Sequence, residues 1–228
     1  MMTLYTLDIS SLTMEVLRAR ALHEGLVTLV ERAAQWRHPL SAKHLLCGAL
    51  LQRRCCTLET GIALQDQHFM VNRHGKPQLE GHEGWHFNKA HSGDWVVVAT
   101  SDAPLGVDVE RVKAAPLAVA RRFFSPEEIQ LLSTAEDAHR DRLFYQLWTA
   151  KEAYLKYLGI GIKYGLDRFS VCLLGADRFE VDDPRGTGCH LHHLLLGDDY
   201  QVALCAQEEH PVRLQAVDPA TMNPGNLR

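Results

Sequence analysis

The 228-residue chain has no uninterrupted apolar run near the ~20 residues that a bilayer crossing needs, and residues 1–10 lack the basic start and apolar core of a signal peptide. A cytosolic protein without membrane contact is expected. Basic residues are not in excess either: 24 Lys and Arg stand against 28 Asp and Glu, a net charge of −4, so the footprint of a general nucleic-acid binder is missing. The six cysteines form no Cys-x-x-Cys pair and are too sparse for a disulfide framework, which points to reduced thiols. No GxxxxGK[ST], GxGxxG or GxSxG motif occurs, so the phosphate-cradling loops and the nucleophile elbow that those motifs build are not indicated.

What is present is ordinary globular composition, 46% hydrophobic, in a length that suits one large domain or two small ones. Residues 3–9 alternate as a strand, and residues 14–36 carry a helical apolar face that Gly25 interrupts. Ser41 starts a second helix over 42–53, and residues 57–87 are turn-rich, with His74-Gly75-Lys76-Pro77 as punctuation. The run Trp95 to Thr100 is β-branched enough for a buried strand, and Gly106 to Val112 offers another that pairs with it as a hairpin. Residues 113–120 read as a connector. Ser125-Pro126-Glu127-Glu128 supplies a cap, a first-turn proline and a glutamate three residues after the cap. A long helix over 138–158 follows, ended by Gly159, and then strands over 169–174, 190–196, 200–206 and 212–217. The tail over 218–228 reads as frayed. The order strand, helices, strands occurs twice, which predicts an α+β fold of two similar halves, 1–113 and 114–228.

Four places carry chemistry. On the strand Gly106-Val107-Asp108-Val109-Glu110, the carboxylates of Asp108 and Glu110 project from one face, about 6–7 Å apart. Paired carboxylates raise each other's pKa unless a cation neutralises them, which suits a hard ion such as Mg²⁺; alone, the pair equally suits the wetted face of an amphipathic strand. On the long helix, Trp148, Glu152 and Lys156 share a face, with Lys151 as a second cation beside them. An isolated Glu-to-Lys pair is usually a surface ion pair, so a functional role requires Glu152 to point inward. Residues 87–95 read as a polar loop able to place His91 at a phosphate or base edge, and Lys76 sits between Gly75 and Pro77, rigid neighbours that would hold it as a point charge for phosphate. In Cys189-His190-Leu191-His192-His193 the candidate ligands split between two strand faces, so a zinc site is not expected there.

Together these features resemble the 4'-phosphopantetheinyl transferases of the surfactin-activating (Sfp) type. The resemblance spans about residues 40–175. It rests on Gly75-Lys76-Pro77, Phe87-Asn88 with His91-Ser92-Gly93, Gly106-Val107-Asp108-Val109-Glu110, Phe123-Phe124-Ser125 with Glu128, and Trp148 with Lys151-Glu152 and Lys156. It implies Mg²⁺-dependent transfer of the phosphopantetheine arm of coenzyme A to a serine of an acyl or peptidyl carrier protein, with release of adenosine 3',5'-bisphosphate; Mn²⁺ is not distinguished from Mg²⁺. It further implies a monomer of two pseudo-symmetric α/β halves, each a small sheet packed against helices, with the site at their junction. Residue by residue, the resemblance implies that Asp108, Glu110 and Glu152 match metal ligands, Glu152 also matches the base, Lys156 matches a phosphate contact, and Lys76 and His91 match coenzyme A contacts near the 3'-phosphate and adenine end.

Two places depart from the family pattern. Ala90 stands where serine is frequent, and Lys43-His44 stands where an Ala-His-Arg sequence is common, so the nucleotide contact of that arginine falls to His44 or to another cation such as Arg37. Those departures motivate the alternative of a non-catalytic coenzyme A or carrier-protein binder of the same fold. A metal-dependent phosphohydrolase would use the same carboxylates on water. The basic residues Arg111, Lys113, Arg121 and Arg122 suit the acidic helices of carrier proteins, and equally suit a solvated connector.

Overall fold

The computed structural model of the chain describes residues 1–161, 164–175, 178–186 and 188–224. Two sheets are stacked between two long helices. The front sheet has the order β11-β1-β5-β4, with β1 Met2–Asp8, β4 His86–Ser92, β5 Trp95–Ser101 and β11 Val212–Ala216; β11 runs parallel to β1, the other pairs antiparallel. The rear sheet is antiparallel, in the order β6-β10-β9-β8-β7, from β6 Leu105–Arg111, β7 Ser170–Leu173, β8 Arg178–Asp182, β9 His190–Leu196 and β10 Tyr200–Ala206. A small hairpin, β2 Phe69–Val71 with β3 Pro77–Leu79, forms a separate two-stranded sheet packed on the front core through Phe69 and Leu79. The helices are α1 Met14–His23, α2 Val27–Ala34, α3 Pro39–Thr60, α4 Leu117–Phe123, α5 Pro126–Thr134 and α6 Asp137–Leu158.

Strand parity builds the layers. Tyr5, Leu7, Val96, Val98 and Phe87 face α3, while Leu4, Val97, Ala99 and Ala90 on the alternate positions face the rear sheet. Leu105, Val107 and Val109 of β6 meet that inner face, which leaves Gly106, Asp108 and Glu110 to face α6. Strand β10, covered on both sides, is buried at every position.

The two-fold repetition read from the sequence is present in the strand order. Strand β1 pairs with β5, which pairs with β4; likewise β6 pairs with β10, which pairs with β9. Each trio is backed by a 22-residue helix ended by a left-handed glycine, α3 by Gly61 and α6 by Gly159. Strand β6, before residue 113, is an edge of the rear sheet, and β11, after it, returns to the front sheet.

Several local expectations are corrected. Strand β5 forms no hairpin with β6, because β1 and β4 already occupy both of its edges. Residues 87–92 are not loop but strand β4, turning into β5 through Gly93 at φ +52°. Helix α3 runs to Thr60, α4 occupies the presumed connector, and β8 is an unforeseen strand. The capping box at Ser125 and Glu128 is formed as read. Of the tail read as frayed, residues 225–228 lie outside the described residues; Pro219–Met222 forms a short 3-10 turn with Met222 buried.

Candidate functional site

The edge strands of the two sheets, β4 and β6, lie side by side without a backbone ladder. Side chains of β4 do that work: Val107 N donates to Asn88 Oδ1 at 2.9 Å, and Arg111 N donates to Ser92 Oγ at 3.1 Å. A cavity of about 410 Å³ crosses this seam. At one end it meets the α3-facing side of β4, and at the other the α6-facing side of β6.

At the β6 end, Asp108, Glu110, Trp148, Glu152 and Lys156 line the cavity together. The period of 3.6 puts Trp148, Glu152 and Lys156 on one stripe of α6, and Gly106 lets that stripe approach. A Cβ at Gly106 would collide with the backbone of Ala153 and Tyr157. Lys156 Nζ donates to Asp108 Oδ1 at 2.7 Å and to the Val107 carbonyl at 3.0 Å, which ties helix to strand. Glu110 Oε2 accepts from Ser92 Oγ at 2.7 Å.

Burial raises all three carboxyl groups, and repulsion from neighbouring carboxylates adds to it at Glu110 and Glu152. Asp108, only 7% exposed, is raised by burial, with Lys156 pulling it partly back. Glu110 is raised by burial and then by Asp108. Glu152 is pushed up to about 7, by burial first and then by the Asp108 charge, against the pull of Lys156. Asp108 Oδ2 is buried without a hydrogen-bond partner. A hard divalent cation fits such a set: oxygen donors that repel one another, one of them buried and unsatisfied. Among the described residues no three acidic, His or Cys groups converge at metal-binding separation; Asp108, Glu110 and Glu152 are the residues that would hold the ion.

The β4 end holds His44, Lys89 and His91. His44 of α3 stacks on His91 of β4, with ring centroids 4.2 Å apart and planes at 16°, and its Nε2 donates to the Gly93 carbonyl at 2.8 Å. Both imidazoles are held below the usual histidine value. His44 is lowered chiefly by burial, and His91 by loss of water along its inner face and then by His44 and Lys156, although its outer edge stays open to solvent. They are neutral rings at pH 7, so neither supplies the charge of the arginine that the resemblance anticipates.

Lys76 does not line this cavity. Its Nζ donates to the carbonyls of Leu105 at 2.8 Å and Lys156 at 2.7 Å, bracing the end of α6 against the start of β6, and burial lowers its pKa to about 8. Lys151 is corrected outright: it is not a cation beside Glu152. It is 0% exposed on the opposite side of α6, paired with Glu128 at 3.0 Å and donating to the carbonyls of Leu166 and Phe169 at 2.8 and 2.6 Å. His190 and His193 fall on opposite faces of β9 as read, and His193 bonds Gln201 at 2.5 Å. Arg111, Lys113, Arg121 and Arg122 are exposed.

Lys89 is not singled out by the sequence while residues 87–95 read as loop. Strand parity is the signal that finds it, since Lys89 and His91 are two apart on β4 and face the same way.

Residues 104–205 match the family model of the 4'-phosphopantetheinyl transferase superfamily, and residues 29–103 match that of a 4'-phosphopantetheinyl transferase N-terminal region. The chain is 35% identical over 186 residues to the 4'-phosphopantetheinyl transferase psf-1 of Bacillus pumilus, covering 80% of this chain and 79% of that one. It is 31% identical over 182 residues to the 4'-phosphopantetheinyl transferase Sfp of Bacillus subtilis strain 168, covering 79% and 80%. Among solved structures, the holo-[acyl-carrier-protein] synthase of Thermotoga maritima matches with a TM-score of 0.40 at 23% identity, over 47% of this chain and 64% of that one.

Proposed function

The chain belongs to the 4'-phosphopantetheinyl transferase superfamily, and from that premise we propose that it transfers the 4'-phosphopantetheine arm of coenzyme A to a serine of an acyl or peptidyl carrier protein. The observation that carries this reading is the crossing of β6 and α6, where Asp108, Glu110, Glu152 and Lys156 line one cavity. In the reaction the serine oxygen attacks a phosphorus of the coenzyme A diphosphate. A phosphorus–oxygen bond to serine forms as the diphosphate bond breaks, and adenosine 3',5'-bisphosphate leaves.

Such a displacement needs the attacking and leaving oxygens in line and the growing negative charge neutralised. Glu152 takes the serine proton, directly or through a water. Lys156, held against Asp108 and the Val107 carbonyl, presents its ammonium to the diphosphate. Asp108, Glu110 and Glu152 would hold a Mg²⁺, which when bound neutralises phosphate oxygens. The stacked pair His44 and His91 forms a flat, uncharged wall for the nucleotide end. On this reading residues 1–113 contribute His44, His91, Asp108 and Glu110 while residues 114–228 contribute Glu152 and Lys156, so one chain completes a site and a monomer suffices. Lys76 serves coenzyme A indirectly, by bracing Lys156.

The test is a panel of apo carrier proteins incubated with coenzyme A and Mg²⁺ and read by intact-protein mass. One carrier or more should gain the mass of a single phosphopantetheine arm, and Glu152→Gln should abolish the gain with the melting temperature retained. No gain on any carrier would overturn the assignment.

A further inference from the structure

Two lysines, and no arginine, line the cavity among the described residues. Lys156 is paired with Asp108. Lys89 has a different environment. It projects from β4 toward α3, its stem lying against Gly48, where an added Cβ would be 3.7 Å from its Cδ. Its Nζ donates to the neutral amide oxygen of Gln52 at 2.8 Å, one acceptor for an ammonium that has three donors. Burial lowers its pKa to about 8, and no carboxylate is near enough to offset that. An ammonium so placed opposes folding, because charge leaves water without a counter-charge. Where a charge is kept in a cavity at a loss to stability, a ligand of opposite sign is the physical compensation.

On the reaction proposed above, coenzyme A brings two anionic groups. The diphosphate has to lie at the β6 end, since that is where its bond breaks. The remaining group is the 3'-phosphomonoester on the ribose, and the remaining cation among the described residues that line this cavity is Lys89, across the seam beside the uncharged rings of His44 and His91. We propose that Lys89 binds the 3'-phosphate of coenzyme A and is the residue by which this chain distinguishes coenzyme A from 3'-dephospho-coenzyme A.

The inference rests on the proposed substrate, and the test separates the two. Calorimetric titration of the full chain with coenzyme A and with 3'-dephospho-coenzyme A gives two dissociation constants for wild type, Lys89→Met and Lys89→Arg; transfer to a carrier is measured in parallel. A charge-assisted bond to a phosphate predicts that wild type prefers coenzyme A by ~10–100-fold. Lys89→Met should bring the two ligands within about 3-fold of each other by weakening coenzyme A alone, and Lys89→Arg should keep most of the preference. The melting temperature of Lys89→Met, equal to or above wild type, shows that the fold is intact. Equal weakening of both ligands, or no weakening, overturns the inference. Wild-type transfer with a preference indifferent to Lys89 sinks the inference alone; Lys89-dependent binding without transfer sinks only the activity. Binding of neither ligand to wild type sinks both.

Discussion

Lys151 and Glu152 are neighbours in sequence, and about 100° of helical rotation sends them into opposite environments. Replacing Lys151 by Met is therefore expected to act on the fold and not on the chemistry. The ammonium is fully buried, bonded to Glu128 at 3.0 Å and to the carbonyls of Leu166 and Phe169. Glu128, 2% exposed, also accepts from Val171 N at 2.7 Å and Ser125 N at 2.8 Å. Without Lys151 that carboxylate stays buried with no cation, and two carbonyls lose a donor. Removing one partner of such a pair costs about 3–5 kcal/mol. For a chain of this length that lowers the melting temperature by roughly 6–20 °C. The second change Glu128→Gln, which keeps an acceptor for the cap and drops the charge, should recover part of the loss. Thermal unfolding followed by circular dichroism gives the stability, and the carrier mass shift, run well below the transition, gives the turnover. The reasoning is refuted if Lys151→Met melts with wild type yet loses transfer, for then Lys151 acts in the cavity and not beneath it.

Asp108→Asn relieves the repulsion felt by Glu110 and Glu152, so it should hold or raise the melting temperature while transfer falls ~100-fold or more; a chelator should stop transfer by the wild type, and restored Mg²⁺ should return it. Gly106→Ala forces a methyl into the backbone of Ala153 and Tyr157, and because α6 has to move off β6 it should lose ~3 kcal/mol or more in urea titration together with most of the activity; a wild-type denaturation midpoint would contradict the close approach. The pH dependence has a definite sign at Lys89. The unfolded lysine releases its proton near 10.5 and the folded one near 8, so between these values the unfolded state holds more protons and wild-type stability from this group rises with pH. Lys89→Met should therefore be more stable than wild type near pH 7, by up to ~3 kcal/mol, with the advantage fading toward pH 10.5. A difference that stays flat across that range would show that burial does not depress this lysine.

Features that repeat along the chain were readable without coordinates. The two-residue period placed Asp108 and Glu110 on one face of a strand, the 3.6-residue period placed Trp148, Glu152 and Lys156 on one stripe, and the capping residues at Ser125 set the start of α5. These depend only on neighbours within a turn or two, so local steric preference decides them. The direction in which each face points depends on its partners, and partners are chosen by strand order and by the stacking of sheets far apart in sequence. That is why the sequence pattern suits a β5–β6 hairpin while β6 pairs with β10 in the fold, and why Lys151, adjacent to Glu152 in sequence, lies on a stripe that faces the rear core. The same holds for the lysines: packing sets Lys76 Nζ against the carbonyls of Leu105, Lys156 and Tyr157, and only β4 as a strand beside α3 brings Lys89 to the cavity. Residue types and their spacing determined which chemistry the chain carries. Only the packing of β4 against β6, an edge-to-edge contact between residues 19 apart in sequence at Asn88 and Val107, decided which of those residues share one cavity, because a long-range contact is selected by the total burial of both sheets and leaves no period in the sequence.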